Sequence, residues 1–529
     1  MLELLLQLLL ATASAARPRS VLHGAGSPSG TAAASLPCSG EELPNGLCLP
    51  AVWPPNTTHS HDPPPAPYLQ PGSTGANNQS GPFRPAVIGI DMGRQLFVDS
   101  FLIDAARSTG LHITYHTPKY RDDVNPVLRP DKSWEGVEYK GSLDPNLAFA
   151  SPFSGGLFYD PALKHYKLWY RCGSGVQCLA YSTDGIVFSK PAFDVVNGTN
   201  IVQNDLIDGS TVWLDLDEAD PTARFKMAAV FKRNKYSAYT ILHSKDGIHW
   251  VVFLEKTGPI ADRSSVFLNP FRRPRQWIYS IKSGPKPDKD GPFGRSRSYW
   301  ESPALGVGAD WKSKYDHPWT NADIFDPPWG CGGPEEGNFT QLYNLDAVAF
   351  ESLIVGFFSI FTGKHCAGGE NQSATGTGRW VYNRTGEWDS VFTGYSRDGF
   401  HWYRPVIDGR HRVFLPMDDT IVTGTPPNWR WNKANVQSVG GGFTIHSDAS
   451  ATRGTSSAMD SVMRFYVGAR SGRDQIGGNA TARQALLQSW DVFKLPPNSN
   501  DTLCMLNRQR ELTPSHPTVP PTATSSMYL

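Results

Sequence analysis

The chain has 529 residues and no formal net charge, because 49 Lys and Arg residues balance 49 Asp and Glu residues. No run of like charge stands out, which argues against nucleic acids and other acidic polymers as ligands. A chain of this length exceeds what one small core needs, although an all-β ring can run as long as a single unit.

The first 16 residues are typical of a secretory signal peptide. An apolar run at 4–10 precedes the small-x-small cleavage pattern at 13–15, although Glu3 stands where a basic residue is usual. The apolar run is too short to span a bilayer, and no other stretch approaches ~18 apolar residues. We therefore expect a secreted, extracellular protein that has no membrane span and is monomeric.

Sequons support the secretory route. One Asn-x-Ser/Thr triplet is weak evidence, but several of them behind a signal peptide indicate an N-glycosylated protein. The predicted glycosylation sites are Asn56, Asn78, Asn197, Asn338, Asn371, Asn383, Asn479 and Asn500.

The seven cysteines fall mostly into local pairs, which is typical of disulfides in a secreted protein. Spacing alone leaves the connectivity open. We expect the pairs Cys38–Cys48, Cys172–Cys178 and Cys331–Cys366, which leave Cys504 unpaired.

Two segments have the composition of disordered chain. Residues 17–85 and the tail 506–529 are rich in Pro, Gly, Ser and Thr and have too few apolar residues for a core. We predict a linker, a folded part at 86–505, and a disordered tail.

Within the folded part a short phrase recurs three times. It reads YSTDGIVFSKP at 181–191, HSKDGIHWVVF at 243–253 and YSRDGFHWYRP at 395–405. Asp-Gly between two strand-like runs is a strong hairpin signal, since Gly accepts positive φ. Each phrase follows two strand-like runs and a further turn, so one repeat predicts a four-stranded antiparallel sheet. We expect the Asp of each phrase to be a turn residue.

Five such units can be counted, which predicts an all-β fold, a five-bladed β-propeller. A solenoid and a sandwich are the alternatives. The run at 94–103 reads as an edge strand that could close the ring. The units lie at about 151–196, 204–256, 261–306, 338–406 and 431–490.

Several motifs, among them GRQLFVDSFLID, PFSGGLFYDP, DGSTVWLD and YNLDAVAFES, resemble the N-terminal propeller of glycoside hydrolase family 32. That family belongs with invertase, levansucrase and arabinanase-like five-bladed propellers, and the resemblance covers about 90–490. It implies a central funnel with three carboxylates, one at the start of the innermost strand in each of the first three blades. Glycosidic cleavage needs one carboxylate as nucleophile or base and one carboxylic acid to protonate the leaving oxygen.

The chain matches the family's acid positions only in part. The family's blade-one nucleophile falls near Ser154-Gly155, where there is no acid, and Asp144 lies about eleven residues early. Each remaining candidate has an alternative as a turn-capping or ion-paired residue. The candidate catalytic residues are Asp208, Asp262, Asp346 and Glu351, with Glu301 as a fallback general acid.

Substrate-binding candidates are cations and aromatic residues near strand starts, which suit sugar hydroxyls, anionic groups and stacking. Their alternatives are a solvated charged face and packing between blades. The 14 His residues show no metal-ligand spacing, so we expect no metal and no cofactor. The candidates are Arg263, Arg295, Arg297, Trp213, Tyr343 and Trp431.

The sequence thus predicts a glycoside hydrolase-like protein that cleaves an extracellular poly- or oligosaccharide. Because the blade-one acid is missing, a non-catalytic carbohydrate-binding propeller is the main alternative. A cell-surface scaffold for protein partners is the third, since fold does not fix function.

Overall fold

The structure is a computed structural model. It describes residues 38–70, 84–85, 87–90, 92–104, 107–108, 112–115, 117–120, 124–139, 142–144, 150–173, 175–234, 237–283, 294–328, 340–363, 388–417, 434–447, 461–471, 487–492 and 526–528.

These residues form strands and short 3₁₀ turns, and no α-helix occurs among them. Three strands precede the main sheets: β1 (His112–Thr114), β2 (Val137–Tyr139) and β3 (Ser142–Asp144). The 3₁₀ turns are Pro67–Leu69, Ser100–Leu102, Ser133–Glu135, Pro221–Ala223 and Lys232–Asn234.

Five antiparallel sheets follow one another along the chain. Sheet 1 contains β4 (Ala150–Ser151), β5 (Leu157–Asp160), β6 (His165–Cys172), β7 (Gln177–Ser182) and β8 (Ile201–Gln203). Sheet 2 contains β9 (Thr211–Leu214), β10 (Phe225–Ala229), β11 (Thr240–Ser244) and β12 (Val251–Leu254). Sheet 3 contains β13 (Ser265–Asn269), β14 (Gln276–Ser283), β15 (Ser296–Ser302) and β16 (Pro318–Thr320).

Sheet 4 contains β17 (Gln341–Phe350), β18 (Leu353–Gly363) and β19 (Trp388–Ser396), and then, after the hairpin of β20 (Val406–Ile407) and β21 (Arg410–His411), β22 (Val413–Leu415). Sheet 5 contains β23 (Ala434–Ser447), β24 (Ser461–Ser471) and β25 (Leu487–Val492). The strand β26 (Ser526–Tyr528) lies within the predicted tail and pairs in parallel with β1.

One strand from each of the five sheets, which we call the inner strand, contributes to a closed ring. Strand β5 contacts β9, β9 contacts β13, β13 contacts β17, β17 contacts β23, and β23 returns to β5. Buried side chains fill the space between neighbouring sheets, including the pair formed by sheets 5 and 1. The predicted propeller of four-stranded antiparallel sheets is confirmed.

The three Asp-Gly phrases form the same turn. In each, Oδ1 of the Asp accepts the backbone N–H groups two and three residues later, at 2.8–2.9 Å. A Ser two residues earlier donates to the same oxygen. Asp184, Asp246 and Asp398 therefore satisfy local backbone groups, as expected of turn residues.

Each of these turns also receives a donor from the preceding sheet. Trp169 Nε1 of β6 donates to Gly247 O at 2.9 Å, and Tyr466 Oη of β24 donates to Gly185 O at 2.9 Å. Asn269 Nδ2 of β13 donates to Asp398 O at 3.2 Å. A Cβ at position 247 would lie 2.6 Å from the Trp169 ring. The turns thus join neighbouring sheets, and the one in sheet 1 closes the ring against sheet 5.

Proline decides where the outermost strand begins. In sheet 2 the phrase continues directly into β12, whereas the other two copies end at Pro191 and Pro405. Because proline cannot donate to a ladder, the chain leaves the sheet there and the outer strand forms later, as β8 and β22. The units in sheets 1 and 4 are consequently longer than predicted.

Two expectations about the N-terminal part need correction. Residues 38–70 are not linker: Leu43, Leu47, Leu49 and Tyr68 are buried against Phe101. These apolar residues are too sparse to raise the average composition of 17–85, but tertiary packing brings them together. The rest of that predicted linker lies mostly outside the described residues.

The run at 94–103 is also not a strand. It is irregular up to Asp99 and then forms the turn Ser100–Leu102, while Leu96 and Val98 pack against sheets 4 and 5. Its apolar residues are therefore buried without joining a ladder.

Two predicted disulfides are present, Cys38–Cys48 and Cys172–Cys178, and the second joins the ends of β6 and β7. Cys331, Cys366 and Cys504 lie outside the described residues, as do the sequons at Asn78, Asn338, Asn371, Asn383, Asn479 and Asn500. Asn56 and Asn197 are exposed.

We predict that Asp246→Ala lowers the free energy of unfolding by about 1–3 kcal/mol, because the backbone N–H groups of Ile248 and His249 lose the acceptor that fixes the turn. Urea unfolding measures this. Asp217→Ala is the matched control, since that side chain is 83% exposed and should change stability by less than about 0.5 kcal/mol. Equal stability of the two variants would contradict the structural role of the turn.

Candidate functional site

The inner edge of sheet 1 is interrupted where the family's nucleophile would stand. Strands β4 and β5 both pair with β6, and residues 152–156 between them leave the ladder. A Cβ at position 155 would lie 2.3 Å from Trp169 O, so the chain passes too close for a larger residue. Ser154 is buried here and its Oγ accepts Asn344 Nδ2 at 3.3 Å. Asp144 lies elsewhere, in the separate hairpin of β2 and β3.

Asp208 lies three residues before β9 and is 7% exposed. Its carboxylate accepts the backbone N–H groups of Gly209 at 2.7 Å and Arg263 at 3.1 Å. Two guanidinium groups face the same oxygen, Nη1 of Arg171 at 3.7 Å and Nη1 of Arg263 at 4.0 Å. The carboxylate thus joins the approaches to sheets 2 and 3 and the end of β6 in sheet 1.

Arg263 occupies the centre of this arrangement. Its φ of 60° is in the left-handed region, which is uncommon for a residue with a side chain. The guanidinium carbon lies 3.8 Å from the centroid of the Phe153 ring, and Nη2 donates to Gln437 Oε1 at 2.9 Å. One side chain therefore contacts groups from sheets 1, 2 and 5 while belonging to sheet 3.

Asp346 is a buried carboxyl on β17. It is 3% exposed, and Oδ2 accepts Asn344 Nδ2 and Ser438 Oγ, both at 2.7 Å. Burial raises the pKa of Asp346 above its ordinary value, and the Ser438 hydrogen bond and the charge of Arg263 only partly oppose it. Asp346 is therefore the carboxyl here whose surroundings favour the protonated form.

We call this group of residues the axial cluster. It links the inner parts of all five sheets through polar contacts. Its members are Phe153, Ser154, Arg171, Asp208, Arg263, Asn344, Asp346, Gln437 and Ser438.

A second group, the rim cluster, lies beside Arg263 and consists of Asp262, Lys282, Arg295 and Tyr343. Lys282 Nζ lies 2.6 Å from Asp262 Oδ1 and 4.6 Å from the Tyr343 ring centroid. Arg295 lies 5.2 Å from the same ring. The Asp262 side chain is 46% exposed, so this cluster reaches solvent.

The charges of the rim cluster shift one another. Burial would raise the pKa of Asp262, but the adjacent Lys282 ammonium outweighs it and holds that pKa below the ordinary value. Burial lowers the pKa of Lys282 to about 8, against the attraction of Asp262 and together with repulsion by Arg295.

Arg297, a substrate-binding candidate, is fully buried. Its guanidinium donates to the backbone oxygens of Arg263 at 2.8 Å and of Tyr343, and to Asn344 Oδ1 at 3.1 Å. It therefore holds the starts of β13 and β17 together beneath the two clusters and adds a positive charge there.

The structure removes two candidates from the site. Glu351 lies in the turn after β17 and forms an ion pair with Arg94 at 2.6 Å. It is five residues beyond Asp346, which corresponds to about 16 Å along a strand. Trp213 packs against Phe158 and Trp277 at 5.1 and 5.9 Å, in the core between sheets. Neither side chain belongs to the axial or rim cluster.

Glu301 also falls outside the site. Glu301 accepts Trp53 Nε1 at 3.2 Å and pairs with Arg272 at 2.9 Å, which ties residues 38–70 to sheet 3. Trp431 lies outside the described residues.

One group has the composition of a metal site. Ligand atoms of Asp323, Asp326 and His411 lie within 4.8 Å of one another. Arg404, however, contacts both carboxylates, at 3.2 Å from Asp323 and closer to Asp326. The cluster is an internal ion-pair network that fixes the turn before β20.

No helix among the described residues is long and apolar enough to cross a bilayer.

Sequence reasoning missed Arg171, Lys282, Gln437, Ser438 and Asn344. The available signal was a charged or amide residue within an otherwise apolar strand, as at Arg171 in HYKLWYRC and Lys282 in QWIYSIKS. Such residues point to a polar partner, but only the closed ring shows which partner it is.

No family model and no curated protein matches the chain. Among solved structures, a candidate glycoside hydrolase from Parabacteroides distasonis is 13% identical, with a TM-score of 0.37 over 72% of this chain and 98% of that one. Another from Bacteroides ovatus is 10% identical, with a TM-score of 0.39 over 72% and 97%. An endo-arabinase from Bacteroides thetaiotaomicron is 8% identical, with a TM-score of 0.33 over 66% and 98%. At these values the likeness carries no argument about activity.

We predict that Lys282 makes the free energy of unfolding of the wild-type protein rise with pH, and that Lys282→Met removes this rise. Because the folded-state pKa is about 8 and the ordinary value is 10.5, the unfolded chain binds more protons between these values, and stability from this group rises with pH there. The difference between wild type and variant should change by about 2 kcal/mol from pH 8 to pH 10. Urea unfolding at several pH values measures it.

Lys312→Met is the matched control, because that side chain is 84% exposed. Parallel stability curves for wild type and Lys282→Met would show that Lys282 is not electrostatically perturbed.

Proposed function

We propose that the protein is a secreted glycoside hydrolase whose acids are rearranged within the axial cluster. The observation that carries this proposal is the pair of carboxyl groups Asp208 and Asp346 near the ring of inner strands. Asp208 faces the guanidinium groups of Arg171 and Arg263, and burial raises the pKa of Asp346. Hydrolysis of a glycosidic bond needs one carboxylate and one carboxylic acid.

In this proposal Asp346 is the general acid. Burial favours its protonated form, so it can give a proton to the leaving glycosidic oxygen. Asp208 faces two guanidinium groups and serves as the carboxylate that stabilises the oxocarbenium-like carbon or activates water. Asp262, paired with Lys282 at the more exposed rim, orients sugar hydroxyls.

A non-catalytic carbohydrate-binding propeller is the second candidate. It is favoured by the absence of an acid at Ser154-Gly155 and by the cations that engage Asp208 and Asp262. Both candidates place a carbohydrate at the same clusters.

Secretion is part of the proposal. Two disulfides indicate an oxidising compartment. The exposed sequons at Asn56 and Asn197 are open to glycosylation. The signal-peptide pattern at 1–16 is the sequence feature that would direct the chain there.

We predict that Asp346→Asn and Asp208→Asn each lower the hydrolysis rate by about 10²–10⁴-fold, the range expected for loss of an acid or base. Release of reducing ends from a panel of extracellular polysaccharides measures the rate, and thermal unfolding checks that each variant is folded.

Glu351→Gln is the matched control, since it removes an acid outside both clusters and should leave turnover unchanged. Wild-type turnover in both Asp variants would overturn the assignment. A folded wild-type protein that binds oligosaccharides but releases no reducing ends would establish the non-catalytic alternative.

A further inference from the structure

The two clusters carry more positive than negative charge, although the whole chain is neutral. Their carboxyl groups are Asp208, Asp262 and Asp346. Their cations, together with Arg297 beneath them, are Arg171, Arg263, Lys282, Arg295 and Arg297. Neutrality of the whole sequence therefore conceals a local surplus of positive charge.

The carboxylates do not neutralise all of these cations. Lys282 pairs with Asp262, and Arg171 and Arg263 share Asp208. Among the described residues, no carboxylate lies within ion-pair distance of Arg295 or Arg297, and the hydrogen bonds of these two go to neutral oxygens. In a low-dielectric interior, such charges raise the potential over the surface above them.

Donors also exceed acceptors beneath the surface. Nε of Arg263, Nε of Arg297 and Nε2 of Gln177 are buried without a hydrogen-bond partner among the described residues. Each of these is an N–H group, and the Tyr239 hydroxyl, also without a partner, can donate as well. Asp346 Oδ1 is also buried without a hydrogen-bond partner among the described residues, so the three N–H groups outnumber this acceptor. Because all of these atoms are buried, they act on a ligand through their partial charges and not by contact.

The accessible members of the clusters form the contact surface. The Arg171 side chain is 20% exposed, and Arg295 is half-buried beside the rings of Tyr343 and Phe361, at 5.2 and 4.7 Å. A guanidinium offers planar, paired donors to a carboxylate or sulfate group. The rings of Tyr343 and Phe361 are themselves buried, so they hold the Arg295 guanidinium in place by cation–π contact.

We propose that the clusters recognise an acidic saccharide, with Arg171 and Arg295 contacting its carboxylate or sulfate groups. Arg263 and Arg297 act from below through their charge. This inference rests on the proposed function only in that the ligand is a carbohydrate.

The test compares charged oligosaccharides with matched neutral forms by isothermal titration calorimetry, using the full chain with Asp346→Asn to prevent turnover. One pair is tetragalacturonate and its methyl ester. The other is a sulfated galactan tetrasaccharide and its desulfated form. The charged member of at least one pair should bind tenfold or more tighter than its neutral form, and the pair that responds identifies carboxylate or sulfate as the group recognised.

Arg171→Gln and Arg295→Gln, each added to Asp346→Asn, should remove this discrimination. Arg412→Gln, an exposed arginine that pairs with Asp408 at a distant turn, should retain it. Circular dichroism verifies that each variant is folded.

Discrimination that survives both Arg171→Gln and Arg295→Gln would overturn the proposed contacts. Equal binding of charged and neutral forms, or binding of none of the four, would overturn the acidic ligand. If the wild-type chain then still releases reducing ends from a neutral polysaccharide, the proposed hydrolase stands and only the acidic ligand is lost.

Discussion

The contacts of Arg263 are the constraint on which the site depends. A positively charged side chain at the axis of a closed ring must find partners on neighbouring sheets, because burying an unpaired charge is costly. Arg263 does so by stacking on Phe153, donating to Gln437 and facing Asp208. The same contacts hold Asp208 in place and influence the buried Asp346. Ring closure and site chemistry thus share one residue, whose left-handed backbone is typical of positions constrained by function.

The repeat architecture could be predicted from the sequence because its signals are local. Ser-x-Asp-Gly with a following aromatic residue forms one turn wherever it occurs, and the turn separates the strands of each sheet. Local signals did not show that the turns accept hydrogen bonds from Trp169 or Tyr466 of the preceding sheet, because those residues are distant in sequence. For the same reason the burial of Leu43, Leu47 and Tyr68 was missed, since it depends on a surface that exists only in the folded ring.

The site could be predicted in part. Asp208, Asp262 and Arg263 lie two or three residues before inner strands, as the sequence pattern predicts, whereas Asp346 lies in the middle of β17. The structure places all four in two adjoining clusters. Glu351 is close to Asp346 in sequence, but the extended strand holds the two residues apart. Trp213 was selected as an aromatic near a strand start, where packing between sheets competes with ligand stacking. Net charge does not show the local surplus of cations, because it averages over the whole chain, whereas recognition depends on the local field.

The central claim is that a carbohydrate binds at the axial and rim clusters. It is tested most directly by a crystal structure of the Asp346→Asn variant with tetragalacturonate or the sulfated galactan tetrasaccharide bound. We expect an acidic group within hydrogen-bond distance of Arg171 or Arg295, and a glycosidic oxygen directed toward position 346. A saccharide bound elsewhere on the propeller, with both clusters unchanged, would contradict it.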